Sequence, residues 1–198
     1  MSIRPQTRRP GADPGPGRRL ILVGSAAAVA GIGIRAGRTQ AANTLAMARP
    51  GSGQELMALL QAAADSQQVA VLDPSTDVTV ERTVEVVQRQ STSRIWGVNG
   101  NGAKIRSVIK DGTPVIRYRV ATTDRPEGTQ SRGLLIQGMD IQGSMNDGPG
   151  LMLYAPSASG PLYRAIIRDN ATCLSDGLAG LHIKGAVFEL LVVLCKSA

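Results

Sequence analysis

The sequence predicts an all-β chain of stacked, repeated strand units, and three observations favour this class. Segment 133–143 is repeated at 180–189, an offset of 47 residues, with glycine, leucine and isoleucine at matching places. Ile-x-Gly occurs at 95–97, 136–138 and 183–185, and halving these spacings gives about 20 to 24 residues, the length of one solenoid turn. Only 3% of residues are aromatic, so small aliphatic side chains must fill the core.

Residues 1–48 are expected to be a leader that precedes the folded domain. An Arg-, Pro- and Gly-rich segment without apolar periodicity ends at residue 17 and is expected to be disordered. Residues 20–34 then form an uncharged apolar run, which is short for a membrane span and suited to the hydrophobic region of a signal peptide.

The residues that flank this apolar run indicate export. Arg18 and Arg19, followed by Leu20, Ile21 and Leu22, resemble the twin-arginine export signal, and small residues at 39–41 or 46–48 supply a cleavage site. The alternatives are a membrane anchor or a chance arginine pair. The resemblance implies the twin-arginine export machinery as a partner, a periplasmic or extracellular location, and no stable membrane span after cleavage.

The charge distribution argues against nucleic acid as a partner. The formal net charge is +7, but residues 1–48 hold seven arginines and one acid, which leaves 15 basic and 14 acidic residues in 49–198. The folded part is therefore about neutral, and no basic patch is expected from its composition.

The domain 49–198 is predicted to begin with one short helix at about 54–65. Ser52 is a credible N-cap because Glu55 follows at the capping-box spacing. Apolar residues then recur at helical spacing and form one stripe that needs a partner: Leu56, Leu59, Leu60 and Ala63.

The rest of the domain is predicted to be short strands. From residue 69 onward, apolar and β-branched runs alternate with clusters of Gly, Asn, Asp and Pro. An irregular β-sandwich with an incidental repeat is the alternative to a solenoid.

Together, the helix, the Val-x-Val-x-x-Pro turn at 69–74 and the Ile-x-Gly strands resemble the N-terminal portion of the pectate-lyase-like right-handed parallel β-helices. The resemblance covers roughly residues 54–190. It implies that the helix caps one end of the solenoid. It also implies activity on acidic polysaccharide, as a lyase, hydrolase or epimerase. A non-catalytic carbohydrate-binding or surface module, or an inactive fragment of a larger enzyme, is the alternative.

Candidate site residues follow from strand alternation and from the repeat. With Leu181 and Ile183 inward, His182 and Lys184 face outward, and the repeat offsets place two further residues in the outward column of Lys184, Gln137 and Trp96. The same offsets place Ile95 and Ile136 in the inward column of Ile183. The family binds sugars along an outer strand face, so the resemblance implies substrate contacts at Gln137 and Trp96. The alternatives are that these residues are solvated side chains of the outer face and that Trp96 fills a space under a loop.

The resemblance further implies a catalytic base and nearby acids. His182 and Lys184 are the candidate bases, and Asp169 and Asp176 are the candidate acids. No metal site or cofactor is evident from residue spacing, since no tight acidic cluster occurs. Calcium is expected from the resemblance only.

The C-terminal region carries two further expectations. Cys173 and Cys195 are 22 residues apart, about one predicted coil, which allows either a disulfide or two buried thiols. Residues 190–194 form an apolar strand close to the end of the chain, whereas enzymes of the family have many more coils. The sequence therefore predicts a truncated solenoid; the alternatives are an exposed coil edge that is covered by oligomerisation and an ending produced by a shifted reading frame.

Overall fold

The computed structural model describes residues 44–90, 92–121, 131–143, 148–156, 161–173, 180–193 and 196–197. Four of the residues predicted to have a specific role, Arg18, Arg19, Asp176 and Cys195, lie outside these ranges, as does the rest of the leader before residue 44. Cys173 lies in a described strand, but its side chain is not described, so the export signal and the cysteine pair stay predictions.

The predicted helix is confirmed as α1, Gly53–Ser66, within one residue of the expected range at each end. The Ser52 hydroxyl oxygen accepts a hydrogen bond from the Glu55 N–H at 3.2 Å, and the Glu55 carboxylate accepts one from the Gly51 N–H at 2.7 Å. These bonds satisfy backbone donors that a helix start leaves free. Beyond the helix, Gln67 adopts a left-handed conformation, with φ of 55°, and its N–H bonds back to the last turn.

The remaining described elements are strands. In chain order they are β1 (Val69–Val71), β2 (Asp77–Val80), β3 (Val84–Gln88), β4 (Trp96–Ser107), β5 (Ile116–Val120), β6 (Ser131–Arg132), β7 (Leu134–Gln142), β8 (Leu151–Ala155), β9 (Leu162–Tyr163), β10 (Ile166–Arg168), β11 (Ala171–Cys173), β12 (Leu181–Gly185), β13 (Val187–Phe188), β14 (Leu191–Val193) and β15 (Lys196–Ser197).

These strands form three sheets in which every described pairing of strands is parallel. The first sheet contains β1, β2, β4, β7, β10, β11, β14 and β15; the second has the order β12-β8-β5-β3; the third has the order β13-β9-β6. The all-β class with one helix is confirmed. The parallel pairing differs from the antiparallel sheets of a β-sandwich.

The predicted alignment of the repeat is wrong. Segment 133–143 contains β7 of the first sheet, whereas segment 180–189 contains β12 of the second sheet and β13 of the third. The strands that pair in the second sheet begin at residues 84, 116, 151 and 181, so they are 32, 35 and 30 residues apart. The spacing of about 20 to 24 residues expected from the Ile-x-Gly repeat is therefore too short.

The core lies between the sheets and is formed by aliphatic side chains that repeat along each inward column. In the second sheet, one such column runs through Val86, Tyr118 and Leu153, all buried, and ends at Ile183 on β12. α1 packs on the sheets at the β1 and β3 end and buries Leu56 and Leu60 there. Burial of apolar surface on the inward face of each interior strand stabilises the stack.

Gln61 connects α1 to the edge of β3. Its side-chain amide donates to the Val87 carbonyl oxygen at 2.9 Å, and its amide oxygen accepts from the Val87 N–H at 2.9 Å. A second donor bond reaches the Asp65 carboxylate at 2.9 Å. The side chain of Gln61 thus occupies the N–H and carbonyl oxygen of Val87, which an edge strand would otherwise leave without a partner.

Two positions in the first sheet require particular residues. Buried Asn170 accepts from the Met139 N–H and donates to the Ile136 carbonyl oxygen, both at 3.0 Å, and so fixes the bend within β7. Gly97 has φ of 128°, and a Cβ atom there would lie 2.1 Å from the Leu135 carbonyl oxygen. No other residue type fits at residue 97 without a shift of the backbone.

Candidate functional site

Trp96 does not belong to an exposed sugar-binding surface, so its predicted outward position is wrong. Its side chain is fully buried, and it packs edge-on against Tyr118 with ring centroids 6.0 Å apart. The indole N–H donates to the Arg132 carbonyl oxygen at 3.1 Å. The neighbouring Ile95 was expected to point inward, yet it is 43% exposed. The large indole fills the interior because its single polar atom finds a partner there.

Gln137 and Asp169 lie at the outer surface of the first sheet. The Gln137 amide oxygen accepts a hydrogen bond from Arg168 Nε at 2.7 Å. The exposed Asp169 side chain has an oxygen 3.9 Å from Arg168 Nε, and its backbone has a φ of 54°. Asp169 therefore occupies a turn at the end of β10. A substrate contact at Gln137 stays a prediction.

His182 and Lys184 are exposed on β12, as their predicted outward orientation requires. β12 belongs to the second sheet, so the pairing of strands places these residues beside partners that the sequence repeat did not indicate. His182 follows Arg117 and Met152 in one column, and Lys184 follows Arg119 and Tyr154 in the next. We call these six residues the basic face.

Three cations and one aromatic ring define the chemistry of the basic face. Lys184 Nζ lies 5.7 Å from the centre of the Tyr154 ring, within range of a cation–π interaction. Arg117 Nη1 lies 3.8 Å from a carboxylate oxygen of Glu85, which precedes it in the first column. Since adjacent strands are about 4.8 Å apart, Arg119 and Lys184 are two strand spacings apart in their column, with Tyr154 between them.

Arg117 and Arg119 are half-buried, and their hydrogen-bonding capacity is not used up. The Nε atoms of Arg117 and Arg119 are both buried and have no hydrogen-bond partner. Within the described ranges, Arg119 has no ion pair either. A half-buried guanidinium without an ion pair, such as that of Arg119, is a suitable site for a carboxylate, which accepts two parallel hydrogen bonds from arginine.

Tyr118 lies between these arginines in the chain and points to the opposite side of the sheet. Its ring is buried, its hydroxyl has no hydrogen-bond partner, and burial raises the pKa of the phenol well above its ordinary value. The inward Tyr118 thus contributes to the core, while Arg117 and Arg119 contribute to the surface.

The predicted catalytic set is not brought together among the described residues. Asp169 follows a strand of the first sheet, whereas His182 and Lys184 lie on the second, and Asp176 is outside the described ranges. Over the described part of the chain, no group of three or more His, Cys, Asp and Glu side chains could hold a metal ion. Calcium therefore stays a prediction from the family resemblance.

Sequence reasoning missed Arg117, Arg119 and Tyr154, although a signal for them was present. In segment 116–120, Ile-Arg-Tyr-Arg-Val, the two arginines alternate with apolar residues, as expected for one exposed face of a strand. The alignment of this strand with β8 and β12 could not be found, because the repeat offset paired the wrong segments.

Over the described ranges, no helix combines the length and apolar character that crossing a bilayer requires. Comparison of the whole chain with known protein families, with curated proteins and with solved structures gave no match.

Proposed function

We propose that the chain is an exported right-handed parallel β-helix whose basic face binds acidic polysaccharide without catalysing a reaction on it. The observation that carries this proposal is Arg119, a half-buried guanidinium without an ion pair in the described structure, in one column with the Tyr154 ring and Lys184. Carboxylates spaced along a uronic acid polymer are the complementary ligand.

The order in which the chain visits the sheets supports the β-helix. From β4 to β9, successive strands belong to the first, second and third sheets, and this order occurs twice. Strands β10 to β13 follow the same order, with β10 and β11 both in the first sheet. A chain that winds about an axis produces this order with every pairing parallel. Right-handed winding is favoured because parallel crossovers adopt that hand almost always.

Two features of the basic face favour a sugar polymer over a small anion. Tyr154 lies between Arg119 and Lys184 in its column, so an apolar ring surface separates two cations. A sugar ring presents apolar C–H groups that pack on aromatic side chains, and a uronic acid adds a carboxylate for the guanidinium. The columns continue across three strands, which suits an extended ligand.

The decisive experiment compares binding of polygalacturonate with binding of the same polymer after methyl esterification. We expect the charged polymer to bind and the esterified polymer to bind far more weakly, with affinity for the charged polymer falling as salt rises. Combined Arg117→Gln and Arg119→Gln substitutions should reduce binding at least about tenfold, since hydrogen bonds to charged groups contribute about 1.5 to 3 kcal/mol.

Arg82→Gln is the matched control, because Arg82 is an exposed arginine between β2 and β3 and lies outside the basic face. It should leave binding unchanged. Equal binding of both polymers, or equal loss of binding in the control and the double variant, would contradict the assignment of this face.

Catalysis by the same face is the second candidate, favoured by the exposure of His182 and Lys184 on one strand. A lyase would release an unsaturated sugar product that absorbs ultraviolet light. Incubation with a panel of polyuronates, with and without calcium, distinguishes the candidates. Product that disappears on Lys184→Ala would establish an enzyme, whereas binding without product supports the binding module.

Export is tested separately from binding. Changing Arg18 and Arg19 to lysine keeps the charge of the leader but removes the arginine pair, so we expect the protein to remain in the cytoplasm. Undiminished secretion of this variant would refute the twin-arginine route and leave the binding proposal unaffected.

A further inference from the structure

β12 is the last strand of the second sheet, and one of its two sides has no partner in the described structure. The Gly180 carbonyl oxygen accepts from the Leu151 N–H at 2.9 Å, and the Ala186 N–H donates to the Ala155 carbonyl oxygen at 2.8 Å. Even-numbered residues of this segment therefore direct their backbone groups toward β8. Because alternate residues face opposite sides, Leu181, Ile183 and Gly185 direct theirs away from β8.

Apolar side chains are uncovered at the same end of the sheets. Ile183 is 38% exposed, although Leu153 and Tyr118 in the same column are buried. In the first sheet, Val192 on β14 is 45% exposed, although Ile167 and Ile136 in the same column are buried. Each interior member of these columns is covered by the next strand, and these terminal members are not.

The opposite end of the second sheet shows how an edge is closed in this molecule. There, α1 buries its apolar stripe, and Gln61 hydrogen-bonds both the N–H and the carbonyl oxygen of Val87. The described part of the chain provides no such helix or amide at β12. An unpaired strand edge beside uncovered apolar side chains is a template for strand addition.

A second copy of this chain fits this edge poorly. An antiparallel pairing of two β12 strands about Ile183 would set His182 opposite Lys184 of the other copy, twice, and so place basic side chains together. A head-to-tail pairing would require the side of β3 that faces away from β5, and α1 and Gln61 already occupy that side.

We infer that β12 binds an extended segment of another protein in which acidic residues alternate with apolar ones. Added beside β12, such a segment bonds the backbone of Leu181, Ile183 and Gly185. Its acidic side chains lie next to His182 and Lys184 on the outer face, and its apolar side chains cover Leu181 and Ile183 on the inner face. The main chain supplies affinity, and the alternation supplies specificity.

The other edge of the second sheet provides a precedent for this charge arrangement. On β3, Glu85 lies in the same column as His182, and its carboxylate oxygen is 3.8 Å from Arg117 Nη1 on the next strand. The flanking residues Val84 and Val86 are buried. An apolar–acid–apolar strand therefore already packs beside a basic strand in this sheet.

The test uses short fluorescent peptides and the full chain, with binding measured by fluorescence anisotropy. One peptide alternates valine and glutamate, a second alternates valine and lysine, and a third has the composition of the first in two blocks. We expect the valine–glutamate peptide to bind about tenfold or more tightly than either control, since like charges opposite each other are destabilising.

Charge reversal provides the sharpest check. His182→Glu combined with Lys184→Glu should invert the preference, so that the valine–lysine peptide binds more tightly. Lys184→Ala is the milder variant if the double variant does not fold, and it should reduce the preference severalfold. Arg117→Gln with Arg119→Gln should leave peptide binding unchanged while it weakens polyuronate binding, which separates this inference from the proposed function.

Several results would overturn the inference. These are no binding of any peptide, equal binding of all three, or an unchanged preference after charge reversal. A concentration-dependent dimer that dissociates when β12 is substituted would assign the edge to a second copy instead.

Discussion

Substitution of Gln61 tests whether side-chain hydrogen bonds close the β3 edge. Gln61 makes two bonds of 2.9 Å to one backbone unit, the N–H and carbonyl oxygen of Val87. At a net 0.5 to 1.5 kcal/mol for each bond, Gln61→Ala should lower the free energy of unfolding by about 1 to 3 kcal/mol. Val87 is half-buried, so water replaces the lost bonds only in part.

Gln61→Glu separates hydrogen bonding from the loss of a side chain. The introduced carboxylate accepts from the Val87 N–H but cannot donate to the Val87 carbonyl oxygen. It also lies near the Asp65 carboxylate, which Gln61 now contacts through its amide at 2.9 Å. We therefore expect this variant to lose at least as much stability at neutral pH as Gln61→Ala, although it is closer in size to glutamine.

The assay is urea denaturation followed by circular dichroism, with free energies extrapolated to water. Gln54→Ala is the matched control because Gln54 is exposed on the same helix, and it also accounts for the higher helix propensity of alanine. Equal unfolding free energies for Gln61→Ala and Gln54→Ala would refute the view that Gln61 closes the edge.

Three further predictions concern the interior. Asn170→Ala leaves two buried backbone groups without partners and should cost about 2 to 4 kcal/mol in urea denaturation. Gly97→Ala should cost more than about 3 kcal/mol or prevent folding, whereas Gly102→Ala, at φ of 88° with open space around it, should cost only about 1 kcal/mol. Burial raises the pKa of Tyr118, whereas a tyrosine in the unfolded chain ionises at about pH 10. The contribution of Tyr118 to the free energy of unfolding is therefore fully present below that pH and is lost as the pH rises above it. Alkaline unfolding followed by circular dichroism should therefore shift to higher pH in Tyr118→Phe, and the neutral-pH stability of this variant should be equal or higher, since the hydroxyl has no partner.

The helix could be predicted closely because its determinants are local. Ser52 and Glu55 are three residues apart, and the stripe that begins at Leu56 follows at helical spacing. Both signals depend only on neighbours within one or two turns, and the structure places the helix boundaries accordingly. The all-β class was predictable for the same reason, since short apolar runs between turn residues are local features.

Strand alignment could not be predicted, because the Ile-x-Gly motif reports a local backbone bend. Gly97, Gly138 and Gly185 all have positive φ, of 128°, 68° and 98°, yet they lie in two different sheets. Any sheet in which a strand bends can require such a glycine. The motif therefore recurs without marking equivalent positions, and offsets taken from it placed Trp96, Gln137 and Lys184 in one column incorrectly.

The position of Trp96 shows a second limit of structure prediction from strand alternation. Strand alternation fixes which residues share a face, but it does not fix which face is inward. The prediction placed Ile95 inside, whereas the structure buries Trp96 and leaves Ile95 partly exposed. The indole packs against Tyr118 and donates to a carbonyl oxygen 36 residues away in the chain, so its orientation depends on partners that no local pattern identifies.

The two proposed ligands would lie on β12 in different directions, so their binding can be tested separately. A polysaccharide would cross β5, β8 and β12 on the outer face and contact Arg119, Tyr154 and Lys184 in turn. A peptide strand would run along β12 and bond Ile183 through its backbone. Lys184 belongs to both surfaces, but Arg119 belongs only to the first and Ile183 only to the second. Competition between polygalacturonate and the valine–glutamate peptide should therefore be partial and depend on Lys184, whereas loss of Arg119 should affect the polymer alone.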